Sequence, residues 1–123
     1  MTVPIPGRSY EVVVGAGLIV RADEVLPDLP GVERAFVVAD RAVAAWSGPL
    51  EEALGRRGIK TVGLTVPSGE DAKTLQVYGT LLHQLAGQEA HRGDLIVALG
   101  GGTVGDLAGF VAATYMRGVP VVQ

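Results

Sequence analysis

The chain contains no cysteine. That absence removes disulfides, thiolate nucleophiles, CxxC redox chemistry and cysteine-ligated zinc together, and it fits a reducing cytoplasm. Aromatic residues make up only 5% of the sequence, so any core must be aliphatic. Basic charge is not in excess: the formal net charge is -3. Without a positive field, nucleic acid and anionic membrane surfaces are disfavoured as partners, and a small molecule or another protein is favoured. No apolar run approaches the length of a membrane span, and "MTVPIPGRSYE" has no apolar signal core, so the expected location is the cytoplasm. His83 and His91 lack companions at ligand spacing, so both read as surface histidines and no metal site is expected.

What is present suggests one soluble domain over residues 1–123, with 48% hydrophobic and 19% charged residues, and 18 Gly and 7 Pro to supply tight turns. Five short stretches rich in β-branched residues recur: "YEVVVG", "RAFVVAD", "KTVGLTV", "DLIVALG" and "VPVVQ". Between them, helices are expected over Leu18 to Leu26, Arg41 to Arg57 with a break at "SGP", Asp71 to Gln88, and Thr103 to Met116. In the third of these, Leu75, Tyr78, Leu82 and Leu85 fall at helical spacing as a packing face. Alternating strands and helices predict an α/β, Rossmann-like, mostly parallel sheet with helices on both faces. Gln123 closes an apolar strand without a polar tail, so the expectation is a chain that stops within a longer protein.

The stretch with most chemistry is "LIVALGGGTVGDLAGFVAATYMRG", Leu95 to Gly118. A strand breaking into Gly100, Gly101 and Gly102 before a helix leaves backbone N–H groups free to face an anion at the positive end of the helix dipole. Three glycines also suit a tight turn with close helix packing and nothing more. The earlier "VVVGAGLIV" lacks the third glycine of a dinucleotide fingerprint and reads as a plain turn. Asp40 ends an apolar strand, where an acid either accepts from a ribose hydroxyl pair or caps a helix. "PSGEDAKTL" places Glu70 and Lys73 one helical turn apart, behind Ser68 in a capping position. Asp106 lies in the first turns of a nearly all-apolar helix, which predicts a buried acid that needs a partner or a ligand. Arg117 follows at that helix's C-terminal end, where a guanidinium suits the dipole or clamps a phosphate.

Three of these motifs, "VVAD" at Val37 to Asp40, "PSGEDAKTL" at Pro67 to Leu75 and "ALGGGTVGDLAGFVAATYMRG" at Ala98 to Gly118, resemble the N-terminal, NAD-binding part of the 3-dehydroquinate synthase family. The resemblance implies that Asp40 holds the adenosine ribose, that Glu70 and Lys73 contact the nucleotide, and that Gly101, Gly102 and Thr103 cradle the pyrophosphate. It places Asp106 near the nicotinamide, and has Arg117 reach a substrate phosphate across the boundary of a homodimer. It further implies conversion of the sugar phosphate 3-deoxy-D-arabino-heptulosonate 7-phosphate to 3-dehydroquinate and phosphate, with NAD and a divalent metal, zinc or cobalt. The metal ligands would belong to a C-terminal domain beyond Gln123, which leads us to expect this chain alone to be inactive. The family's usual Asn shortly after the strand-end acid is Ala42 here.

Other readings stay open on the sequence. Metal-dependent polyol or alcohol dehydrogenases share a Gly-Gly-Gly-x-x-x-Asp pattern, but commonly carry Asp-x-x-Lys, where this chain has Gly109. Related sugar-phosphate cyclases, and a non-catalytic nucleotide-binding module, complete the set.

Overall fold

A computed structural model describes residues 1–123. Four strands, β3 (Arg34–Asp40), β4 (Lys60–Val66), β5 (Leu95–Leu99) and β6 (Val121–Val122), form one parallel sheet in the order β4-β3-β5-β6. Asp40 lies opposite Val66, and Ala39 opposite Leu99, so three strands end at one edge. Each crossover carries a helix: α2 (Ser47–Arg56) between β3 and β4, α3 (Leu75–Gly87) between β4 and β5, and α4 (Gly102–Thr114) between β5 and β6.

Alternating side chains on each strand divide the core in two. Phe36, Val38, Val66, Ile96 and Ala98 face α3 and α4, where Leu81, Leu85, Val104, Leu107 and Val111 meet them. Ala35, Val37, Ala39, Leu95, Val97 and Leu99 face the other way, onto Leu50, Ala53 and Leu54 of α2 and onto Ala22 of the short helix α1 (Ala22–Val25). All five residues of β5 are buried, as a central strand covered on both faces requires. The α/β class with helices on both faces is as the sequence predicts.

Four local expectations are corrected. Only Tyr10–Glu11 of "YEVVVG" forms a strand, β2, and it pairs antiparallel with β1 (Thr2–Val3) outside the main sheet. Val12 exchanges hydrogen bonds with Met1 instead, and Val14 is 88% exposed. The segment from Arg41 to Trp46 is 3-10 rather than α, and α2 starts at Ser47 inside the expected break. The third helix begins at Leu75, not Asp71: Gly69–Ala72 is a separate 3-10 turn, and the Thr74 hydroxyl caps α3 by accepting from the Val77 N–H at 3.1 Å. Leu75, at the very first helical position, is consequently 84% exposed, while Leu81 takes the core place expected for it. No helix is long and apolar enough to cross a membrane.

Candidate functional site

The strand order reverses between β3 and β5, since the chain passes from β3 outward to β4 and then returns to the other side of β3. In open parallel sheets, the crevice outside the carboxyl ends of strands at such a switch point is where ligands bind. Here it is bounded by Asp40 at the end of β3 and by the glycines that follow β5. Gly100 must be bare: a Cβ there would sit 3.0 Å from Asp40 Cβ and 3.1 Å from Val104 Cγ2. Gly101 and Gly102 are bare for a different reason, as nothing lies within 4 Å of a Cβ at either. They leave open space in front of α4, whose N-cap, Gly101, offers no side-chain hydrogen bond. The first N–H groups of that helix therefore lack intrahelical partners and face the same space with the positive end of the dipole.

Side chains from two elements close in on this helix end. Lys73 Nζ lies 2.9 Å from Asp106 Oδ2 and 3.8 Å from Glu70 Oε1. Thr103 Oγ1 donates to the same Glu70 oxygen at 3.1 Å. Glu70, Lys73, Thr103 and Asp106 thus form one chain of contacts linking the turn after β4 to the first turns of α4. The hydrogen bond to Asp106 holds the Lys73 ammonium above its ordinary range, with the Asp106 and Glu70 charges acting the same way. A cleft of about 280 Å³ opens beside them, lined by Lys73, Leu75, Tyr78, Asp106 and Phe110 among others. A larger groove of about 540 Å³ runs between β4 and α3 past Gln76 and Gln84, and holds none of the converging residues.

Across the switch point, Asp40 Oδ1 accepts from Ser68 Oγ at 2.5 Å and from the Ala42 N–H at 2.8 Å. Those two donors, Ser68 first, hold the carboxyl below the usual carboxylate range. Asp40 caps the Arg41–Trp46 turn, and its carboxylate also borders the crevice.

Two expectations about the site are revised. Asp106 is not buried: its side chain is 69% exposed, because Asp106, Phe110 and Ala113 follow helical spacing along the outer face while Val104, Leu107, Ala108 and Val111 fill the inner one. It has a partner in Lys73, and no desolvation cost calls for another. Ser68 makes no cap hydrogen bond to the turn it precedes; its hydroxyl turns to Asp40 instead. Arg117 stands apart from the cluster, exposed, without an ion pair or side-chain hydrogen bond, and beyond the end of α4 at Thr114, which itself lies about 12 Å along the helix axis from Asp106 at 1.5 Å per residue. Its backbone and that of Met116 are both left-handed, at φ 65° and 47°.

Sequence reasoning missed the cluster at the opposite edge of the sheet. Asp94, 3% exposed, accepts from Arg34 Nη2 at 2.7 Å and from the His91 N–H at 2.9 Å, while His91 Nε2 lies 3.3 Å from its other oxygen. Arg34 also donates to the carbonyls of Gln88 and Glu89, and its guanidinium stacks 4.9 Å from the Phe36 ring. The group ties the start of β3 to the end of α3 at the edge away from the crevice. An acid immediately before an apolar strand was its only sequence signal.

A family profile described as 3-dehydroquinate synthase N-terminal matches residues 63–123. A 3-dehydroquinate synthase of Paracoccus denitrificans is 43% identical over 98% of this chain, and one of Symbiobacterium thermophilum 46% identical over 94%. This chain spans about a third of the length of these relatives, 33% in each case. Among solved structures, a 2-deoxy-scyllo-inosose synthase complexed with carbaglucose-6-phosphate, NAD+ and Co2+ superposes with TM-score 0.85 over 98% of this chain and 33% of its own, at 23% identity. A 2-epi-5-epi-valiolone synthase from Streptomyces hygroscopicus, with NAD+ and Zn2+ bound, gives 0.71 over 93% and 31%, also at 23% identity. These two share the fold. With the profile covering the glycine turn, the Glu70–Lys73 turn and α4, and the relatives aligning over nearly the whole chain, the protein belongs to the 3-dehydroquinate synthase family.

Proposed function

We propose that this chain is the dinucleotide-binding part of a 3-dehydroquinate synthase, the NAD- and metal-dependent lyase that converts 3-deoxy-D-arabino-heptulosonate 7-phosphate to 3-dehydroquinate and phosphate. The observation that carries the reading is the convergence of Glu70, Lys73, Thr103 and Asp106 on the uncapped N-terminus of α4, at the switch point and opposite Asp40. That set fits a dinucleotide in its chemistry. The open space at Gly101 and Gly102, with the adjoining N–H groups and the Thr103 hydroxyl, suits a pyrophosphate. Asp40 suits a ribose hydroxyl pair, and Glu70 and Lys73 flank the nucleotide. Asp106, beside the cleft under Phe110 and Tyr78, lies at the end assigned to the nicotinamide. Bound there, NAD would supply a reversible hydride acceptor.

Lys73 has a second task in this reading. Its charge, held by Asp106 and Glu70, keeps two carboxylates near the crevice from repelling an anionic ligand. Arg117, distant from the nucleotide cluster and unpaired, is assigned to the substrate phosphate, across the boundary between two subunits of a cytoplasmic homodimer. No three His, Cys, Asp or Glu side chains come together to hold a metal ion. A zinc or cobalt site therefore does not fit these residues; its ligands would come from outside this chain, which alone would not turn over.

The test is calorimetric titration of NAD into the purified chain beside its Asp106→Ala variant. Saturable binding, weakened in the variant, is expected. A chain that binds no NAD, alone or with the remainder of the enzyme supplied in trans, overturns the reading.

A further inference from the structure

The acid at the crevice is held partly from beyond its own strand. Asp40 Oδ1 takes both of its hydrogen bonds, from Ser68 Oγ and from the Ala42 N–H, and the Ala42 N–H is shared, lying 3.2 Å from Ser68 Oγ. The hydroxyl therefore closes a three-membered ring of contacts around one carboxylate oxygen and leaves Oδ2 as the open acceptor. Ser68 reaches this position because β3 and β4 are parallel and in register, Asp40 opposite Val66, so the residue two beyond Val66 emerges beside the carboxylate. On the other side, the bare backbone of Gly100 lets Asp40 stand against the end of β5, where a Cβ would crowd it at 3.0 Å. The carboxylate is thus fixed from the ends of two neighbouring strands.

We infer that Ser68 is a positioning residue for dinucleotide recognition: by occupying Asp40 Oδ1 it presents Oδ2 to the ribose hydroxyls and makes the site select a 2′-hydroxyl over a 2′-phosphate. This rests on the dinucleotide reading above. A hydroxyl hydrogen-bonded to a fixed carboxylate is the chemistry of a vicinal diol, whereas a 2′-phosphate brings like charge against it. Without the Ser68 hydroxyl, the carboxylate loses its strongest donor and is held only by the backbone N–H groups of Ala42 and Gly69. The same loss raises its pKa, because the strongest donor to the ionised form is gone.

The experiment titrates NAD and, separately, NADP into the chain and its Ser68→Ala, Ser68→Thr and Asp40→Ala variants, with circular dichroism to establish folding and carbon-13 NMR to follow the Asp40 carboxyl with pH. Ser68→Ala is expected to weaken NAD binding roughly tenfold, the size of one hydrogen bond to a charged group. It should also narrow the preference for NAD over NADP and shift the Asp40 titration upward. Ser68→Thr, which keeps the hydroxyl, should restore all three, a pattern that a purely structural role for Ser68 would not produce. A wild-type chain that binds NAD while Ser68→Ala, folded, binds with the same affinity and preference overturns this inference alone. If the wild type binds neither dinucleotide, alone or with the remainder of the enzyme supplied in trans, the reading on which it rests falls and this assignment falls with it.

Discussion

Lys73 Nζ lies 2.9 Å from Asp106 Oδ2 and 3.8 Å from Glu70 Oε1, so the lysine prefers the acid 33 residues away to the one a turn behind it. The shorter contact joins the turn after β4 to α4, and the longer one stays within that turn. Both side chains of the shorter pair are substantially exposed, and exposed pairs contribute little to folding. Lys73→Ala should therefore leave the thermal midpoint nearly unchanged while lowering NAD affinity, because two carboxylates then face an anionic ligand without a cation. Differential scanning fluorimetry and calorimetry on the same preparation check both halves. A large loss of thermal stability would show that the pair serves folding instead.

The glycine turn separates into two kinds of position. Gly102→Ala meets nothing within 4 Å and has an ordinary backbone conformation, so it should fold normally and gain up to about 1 kcal/mol from reduced unfolded-state freedom. Its methyl group would nevertheless stand in the space assigned to the pyrophosphate, and NAD affinity should fall. Gly100→Ala, which drives a methyl against Asp40 and Val104, should lower stability first. Finding the two variants alike in both readouts would contradict this division.

At the opposite edge, the Asp94 cluster is a matter of stability. Arg34→Ala leaves a carboxylate with 3% exposure lacking its cation, at a cost of roughly 3 kcal/mol, the low end for a broken buried pair because Arg34 itself reaches solvent. Asp94→Ala, which removes the buried charge altogether, should cost less. Urea denaturation of both variants gives the order, and NAD affinity, measured under native conditions, should be the same in each.

Acid should act on that cluster in a defined direction. Burial pushes the Asp94 carboxyl up, but the hydrogen bonds from Arg34 and the His91 N–H outweigh it and hold the group below its ordinary 3.8. A lowered folded-state pKa contributes stability that is fully present above the unfolded value and is lost as pH falls through the folded one. Unfolding free energies of the wild type should therefore decline below about pH 4, where unfolded carboxyls start to bind protons. Asp94→Ala should show a shallower decline over the same interval, and equal slopes would remove Asp94 from the account.

Arg117 offers a test of separation between fold and ligand. Its left-handed backbone, at φ 65° beside Met116 at 47°, is a conformation that glycine adopts without cost. Arg117→Gly should thus stabilise the chain by up to about 1 kcal/mol and leave NAD binding as it was. On the proposed function, in an enzyme carrying this chain together with the remainder, it should raise the KM for the sugar phosphate. A loss of NAD affinity instead would move Arg117 into the nucleotide site.

The sequence by itself determined the α/β class, the order of the sheet's strands along the chain, the glycine turn before α4 and the family motifs. All of these rest on local regularities: β-branched runs, helical spacing and the glycines between them. Tertiary structure decided what those residues do to one another. "YEVVVG" has the composition of a strand, yet only Tyr10–Glu11 forms one, and it pairs antiparallel with the N-terminus outside the parallel sheet. Asp106 sits in a helix that reads as apolar throughout, but which side faces the sheet is fixed by the crossover from β5 to β6, and that turns the acid outward to Lys73. Ser68 reads as a helix cap, and becomes the partner of Asp40 only because two parallel strands end in register. Propensity acts over a few residues, whereas these pairings join positions 28 and 33 apart in the chain, and only the packing of the sheet brings such positions together.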